Sequence, residues 1–358
     1  MNNIDYIGFD VHKKSISYCA KTADGEIRDQ GKVAATQQAL SQWVARRPRP
    51  WQGAMEATLF TGWIYDFLKP QAVELEVGHP AMLRAIAAAK HSNDSLDAKR
   101  IADLLRAHRL PGCYMAPAGY RELRRVLRFR NLLVRQSVKL KNRMAGMLME
   151  TGVEYNKERL HHKKYFRELL GTLSETPPSV VGLLKWSRKA VEMFESSQRQ
   201  LLAGLRRHGA LKERVARLTT IPGVGEVTAL TWALEVVEPE RFASIRRAVS
   251  YCGLCSGQQS SAGVDYRGPL SKQRNKHLQS VRIEAAKLAP RWNAELKRVH
   301  ERELTRGNRN RATLAVARKL VAYLLAVDRR GRPFAEGASP SSSESSLPQP
   351  PDAVKALR

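Results

Sequence analysis

Long apolar runs are missing from this sequence. Nothing in it approaches the ~18 consecutive apolar residues that a membrane-spanning helix needs, which excludes an integral helical membrane protein. Cysteine is scarce too: four in 358 residues cannot build a disulfide framework, so a reducing interior is expected. The opening MNNIDYIGF lacks a basic segment followed by an apolar one, so no secretory leader is expected. Acidic residues are outnumbered, with 34 Asp and Glu against 61 Lys and Arg and a formal net charge of +27. These shortages predict a cytoplasmic, nucleoid-associated protein that meets polyanions rather than a membrane.

The positive charge is unevenly spread. Residues 1–115 hold 15 basic and 12 acidic side chains, so nearly all of the excess falls later in the chain. A balanced N-terminal domain joined to a nucleic-acid-binding body is the simplest reading, although a merely soluble basic surface would share the composition. At 43% hydrophobic, the chain can build two or more cores.

Residues 4–11, 15–20 and 26–33 read as three short strands, with ADGE as the turn between the second and third. A helix over 37–45, a strand ending near Glu56, a helix over 60–68, a strand in AVELEVGH and two further helices follow. Three meandering strands, then helices alternating with strands, is the order of an α/β fold of RNase H type. From Tyr120 to Glu150, Leu123, Val126, Leu133, Leu140, Met144 and Met147 recur at helical spacing, with arginines and lysines on another face. A second long helix fits 180–207. The pair predicts a helical hairpin or a coiled coil over 116–210, its basic face either solvated or set against a nucleic-acid backbone. In LTTIPGVGEVTALTWAL, Gly223 and Gly225 make a tight turn before a helix. This helix-hairpin-helix pattern holds phosphates with turn amides, although Gly-rich helix connections also arise by chance. Helices are expected to continue to about Val327, and residues 331–358, rich in Ser and Pro, read as a disordered tail.

Carboxylates carry the chemistry. Asp10 lies inside the apolar run YIGFDV, where aspartate is depleted because its short polar side chain competes for backbone hydrogen bonds. Glu56 closes the fourth strand, and Asp94 and Asp97 stand three apart at a helix start, on one face. Each has a plain alternative: Asp94 is a good N-cap, Asp97 suits the helix dipole, and Glu56 could be a strand-end charge. Converging, the four would repel unless a hard divalent cation, Mg²⁺ or Mn²⁺, neutralised them. Two such ions can activate a nucleophile and stabilise a leaving oxygen on phosphate.

With these residues in view, the sequence resembles the insertion-sequence recombinases of the one-ten type. They join a RuvC-like Asp-Glu-Asp-Asp domain to a C-terminal domain with a nucleophilic serine, and include bridge-RNA-guided transposases and a pilin-gene invertase. The likeness covers residues 4–330 and rests on IGFDVHK, MEAT and NDSLDAKRIADLL, then on IPGVGEVTA, YCGLCSGQQSSAG and RGPLSKQRNKHL. The chain departs from the family's Gly-Leu-Thr-Pro at GLCS and from its Ala-Thr-Gly at EATLF.

The resemblance implies a RuvC-like acidic domain over 1–115 and a mainly α transposase domain over 211–330. It makes Asp10, Glu56, Asp94 and Asp97 the metal-binding quartet and Ser261 the nucleophile, with Ser260 one residue away. Arg267, Lys272, Arg274 and Lys276, with His277, supply charge to clamp a phosphate. It further implies donor and target duplex DNA, a structured bridge RNA, and a homodimer or homotetramer that completes a composite site. Three rivals stand beside this reading: a Holliday-junction-type metal-dependent nuclease using water, a DNA invertase of the same family, and a non-enzymatic nucleic-acid-binding protein whose carboxylates are caps. Cys252 and Cys255 make a lone Cys-x-x-Cys pair, expected to pack as small apolar residues.

Overall fold

The computed structural model of the protein describes residues 4–47, 50–86, 94–261 and 264–335. These fall into two compact units, Met1–Ala118 and Gly119–Arg358.

The first unit opens with an antiparallel meander of β1 (Asp5–Val11), β2 (Ser15–Lys21) and β3 (Ile27–Ala34). Next come α1 (Gln37–Ala45), β4 (Trp51–Glu56), α2 (Thr61–Leu68), β5 (Glu74–Gly78), α3 (Pro80–Ile86) and α4 (Asp94–Arg106). The sheet order is β3-β2-β1-β4-β5, with β4 parallel to β1 and β5 parallel to β4. The mixed α/β sheet matches the strand and helix order read from the sequence. Helices return the chain between parallel strands because such strands cannot be joined by a tight turn. Thr36 caps α1 by accepting from the Ala39 amide at 3.2 Å.

The sheet buries two different faces. Ile7, Phe9 and Val11 point into a core with Ile16, Leu40, Trp43, Trp51, Ile64 and Leu68. On the opposite face Ala54, Ile101 and Leu105 pack together, with Tyr6 and Leu110 against them. The period of two along a strand separates these sets. It leaves Tyr6, Gly8 and Asp10 on the second face, beneath α4.

The second unit begins with α5 (Ala118–Glu150), 33 residues and roughly 50 Å long. Then follow α6 (Lys163–Gly171), α7 (Pro178–Arg207), α8 (Gly209–Leu218), α9 (Glu226–Val236) and α10 (Ile245–Tyr251). α5 and α7 run antiparallel: Ser137 accepts from Gln198 at 3.1 Å, and Lys141 pairs with Glu195 at 2.7 Å. Met144, Met147 and Leu148 meet Phe166, Leu169 and Leu184 in a small core.

A hairpin of β6 (Ser256–Ser261) and β7 (Val264–Leu270) then interrupts the helices. This corrects the expectation of helix continuing to Val327. The short polar stretch SGQQSS finds its pairing across a turn, which helical periodicity cannot reveal. α11 (Lys276–Leu288), α12 (Ala294–Thr305) and α13 (Arg309–Arg330) complete the unit. α13 is its central column, with Val316, Ala317, Leu320, Val321 and Leu324 buried against Leu230, Trp232 and Leu234 of α9 in one core. Arg214 forks onto Asp328 at 2.7 and 2.6 Å, and Trp232 Nε1 donates to the same carboxylate at 2.8 Å. Gly331, in the left-handed region at φ 62°, ends α13. Of the expected disordered tail, residues 336–358 lie outside the described residues.

Candidate active site

Gly8 positions the acidic groups. A Cβ built there would overlap the carbonyl oxygen of Ala98 and the amide of Ala102, and would stand 3.1 Å from Ala102 Cα. Only glycine lets α4 lie directly on β1. The far half of the helix is tied down by Lys21 to Asp103 at 2.6 Å and by Arg106 donating to the Ala23 carbonyl at 3.1 Å. Lys21 pairs with Tyr6 in the sheet, so α4 runs antiparallel to β1 and its N-terminal end, with Asp94 and Asp97, lies toward Asp10.

Register brings in the third element. β4 runs parallel to β1 with Phe9 opposite Met55, so Asp10 and Glu56 follow as neighbours on adjoining strands and on the same face. Asp10 is only 8% exposed, and its Oδ2 lies 2.9 Å from His12 Nε2. The Glu56 carboxyl is held above its ordinary range, first by burial. Arg84 opposes the rise, Asp10 and Asp97 add to it, and His12 opposes it. Asp10 adjoins Glu56 across the β1–β4 register, and Asp97 stands in the first turn of α4, whose N-terminal end lies over the same face. Asp97 also pairs with Arg100 at 3.1 Å. Asp94 begins α4, but its side chain lies outside those described. Among the described residues, no three His, Cys, Asp or Glu side chains are gathered closely enough to hold an ion.

In the second unit, Ser261 ends β6 opposite Val264, and Ser260 pairs with Asp265. Their side chains and that of Arg267 lie outside those described. Lys272, Arg274 and Lys276 are exposed where the chain leaves the hairpin for α11. His277, half-buried, is held below the ordinary imidazole value by burial first and then by Arg128. Gly223 has φ 84°, and a Cβ on it would come within 2.6 Å of Ala289 Cα, so close packing as well as backbone conformation requires glycine. Gly225 is the N-cap of α9, in extended conformation and open surroundings; Glu226 beside it pairs with Arg206 at 2.5 Å. Cys252 is fully buried and its thiol is pushed up to about 12 by burial, as for a small apolar residue.

One group was absent from the sequence-based site. Glu235 is 1% exposed near the end of α9, and it accepts from Arg128 Nε and Nη2 at 2.8 Å each and from Asn275 Nδ2 at 2.9 Å. A lone carboxylate in the apolar run ALTWALEVV was the signal that could have found it.

Asp10 is thus a buried aspartate beside Glu56 on a mixed sheet, with the acidic N-terminal end of α4 over the same face. Comparison with known proteins narrows the class. Residues 7–153 match the transposase family DEDD_Tnp_IS110, and residues 215–301 match the transposase IS116/IS110/IS902 family. The transposase for insertion sequence element IS1328 of Yersinia enterocolitica is 25% identical over 347 residues, covering 94% of this chain and 100% of that protein. The transposase for insertion sequence element IS1111A of Coxiella burnetii is 25% identical over 259 residues, covering 69% of this chain and 70% of its own. The chain therefore carries transposase domains of the IS110/IS116/IS902 family, whose members are enzymes that cleave and transfer DNA strands. Among the described residues, no helix is long and apolar enough to cross a membrane.

Proposed function

We propose that the protein moves an insertion sequence by cutting and rejoining DNA through a covalent phosphoserine link at Ser261, assisted by a divalent-metal site on the first unit. What supports this reading is the register that sets Asp10 beside Glu56 at the ends of β1 and β4, on the face that α4 covers with its Asp97 end toward Asp10. The strand order of that sheet supports an RNase H- or RuvC-like reading of residues 1–115. Carboxylate oxygens are hard donors, so Asp10, Glu56, Asp97 and, from the same helix, Asp94 fit Mg²⁺ or Mn²⁺. Such an ion supplies Lewis acidity at phosphate and offsets the mutual repulsion of the ligands.

In the cleavage step the Ser261 Oγ–P bond forms as the bond from phosphorus to the leaving sugar oxygen breaks. The serine proton passes to a base and the leaving oxygen takes one up. Attack by another strand's hydroxyl reverses these changes and frees the serine, so joining consumes no cofactor. Lys272, Arg274 and Lys276, with Arg267, neutralise the phosphate. The turn at Gly223 and Gly225 offers backbone amides to a second phosphate as a helix-hairpin-helix. The two chemistries sit on separate units, which favours a homodimer or homotetramer with α5 and α7 in its assembly. Donor and target duplexes and a structured bridge RNA share the basic surface, in the cytoplasm.

A suicide DNA substrate tests this. Trapped protein–DNA adduct, digested and mapped by mass spectrometry, should carry the DNA on Ser261. Adduct on another residue, or cutting that persists in Ser261→Ala without any adduct, refutes the serine mechanism and favours hydrolysis by water.

A further inference from the structure

Glu235 stands where three segments of the second unit meet. Arg128 reaches it from α5 with both fork nitrogens, and Arg124 of the same helix donates to the carbonyls of Leu234 at 2.5 Å and Glu235 at 3.2 Å. Tyr251, the last residue of α10, donates its hydroxyl to the Glu235 carbonyl at 3.1 Å. The third partner is Asn275, which works in two directions. Its Nδ2 donates to Glu235, while its Oδ1 caps α11 by accepting from the amides of His277 and Leu278 at 3.1 and 3.2 Å.

The same node closes the base of the hairpin that carries Ser261. Asn275 N donates to the Tyr251 carbonyl at 3.1 Å and Ser271 N to that of Cys255 at 3.0 Å, while Gln279 Nε2 reaches the Gly253 carbonyl at 2.6 Å. Gly253, at φ 72°, lets Arg274 pass close over it, because a Cβ there would lie 2.9 Å from Arg274 Cδ. Both stems of the hairpin, 251–255 and 271–275, are therefore stitched together at the residues that touch Glu235. Burying a carboxylate is costly unless its lone pairs are filled, and breaking one partner leaves the rest unsatisfied. The node thus holds a single arrangement.

We infer that Glu235 is a positioning residue: through Asn275 it fixes the stems of the β6–β7 hairpin and so sets where Ser261 stands relative to Arg128 of α5. This rests on the reading of Ser261 as nucleophile.

The test uses the full chain and a swap. Asn275→Asp keeps a good N-cap for α11 but turns a donor facing Glu235 into a second carboxylate. Glu235→Gln combined with Asn275→Asp exchanges donor and acceptor across that contact, and the half-exposed Arg128, whose Nη2 shares Glu235 Oε2 with Asn275, turns that nitrogen onto the new carboxylate at 275. Hydrogen exchange is read without DNA. Asn275→Asp should speed exchange across 256–261 and 264–270 about tenfold or more while α13 keeps its protection, and the swap should restore it. On a suicide duplex carrying the element's end, Asn275→Asp should slow adduct formation at saturating DNA by about tenfold or more, with Kd within about twofold, and the swap should recover the rate. Unchanged hairpin exchange in Asn275→Asp, or a swap that fails to restore it, overturns the inference. Should Asn275→Asp unfold, a folded swap with native hairpin protection still supports it and an unfolded one overturns it. Adduct persisting in Ser261→Ala refutes the serine reading, while the exchange result still decides the positioning role.

Discussion

Gly8→Ala is the smallest change that separates the helix-borne aspartates from Asp10. The added methyl meets backbone, not a side chain that can rotate away: the Ala98 carbonyl, the Ala102 amide and Ala102 Cα, the last at 3.1 Å. Carbon atoms pack best at about 3.5–4.0 Å, so that contact alone drives α4 off β1 by about 0.5–1 Å. Overpacking of this kind costs roughly 1–3 kcal/mol, and a displacement of about 1 Å at a reacting centre costs about 10²-fold in rate. The expected result is a first unit destabilised by that amount in urea unfolding, with strand cleavage lowered about a hundredfold and DNA binding little changed. Gly112→Ala, where a Cβ meets nothing within 4 Å, is the matched control and should behave as wild type. Gly8→Ala with wild-type stability and cleavage would refute the claim that α4 delivers Asp97 to the Asp10 end of the sheet.

Asp328 is 3% exposed at its side chain beneath Arg214, so Asp328→Ala should cost about 3–5 kcal/mol by stranding a buried guanidinium, as chemical denaturation would show. Glu235 yields a pH prediction. Burial alone would raise its carboxyl, but the Arg128 hydrogen bonds and charge, then Asn275 and Arg124, outweigh burial and hold it below the ordinary 4.5. A depressed carboxylate contributes stability that is present above its unfolded value and lost as pH falls through its folded value. Second-unit stability should therefore drop below about pH 4.5, and Glu235→Gln should flatten that drop. The basic surface predicts that DNA affinity falls with salt at a slope of about −0.9 per contacted phosphate; a flat response measured by fluorescence anisotropy would deny it.

The first unit was readable because its signals are local. Apolar residues alternate along β1 and β2, Thr36 announces α1, and an aspartate in an apolar strand asks for an explanation. The long helix α5 was readable from its stripe. What escaped depends on contacts distant in sequence. SGQQSS and VDYRGPL hold few strand formers, and they become strands by pairing with each other. Gly8 looked like any strand glycine until Ala98 and Ala102, some ninety positions on, were laid over it. Glu235 posed the same question as Asp10, a carboxylate among apolar neighbours, but its answer needed Arg128 and Asn275 from both sides of the chain. A helix offers no equivalent of a catalytic strand end to draw the eye.

Manganese binding read by electron paramagnetic resonance addresses the acidic site most directly. The full chain on DNA should bind Mn²⁺, and Asp10→Asn, Glu56→Gln and Asp97→Asn should each weaken that binding by roughly tenfold or more. Undiminished Mn²⁺ affinity in all three variants would contradict a shared carboxylate site at the end of β1 and β4.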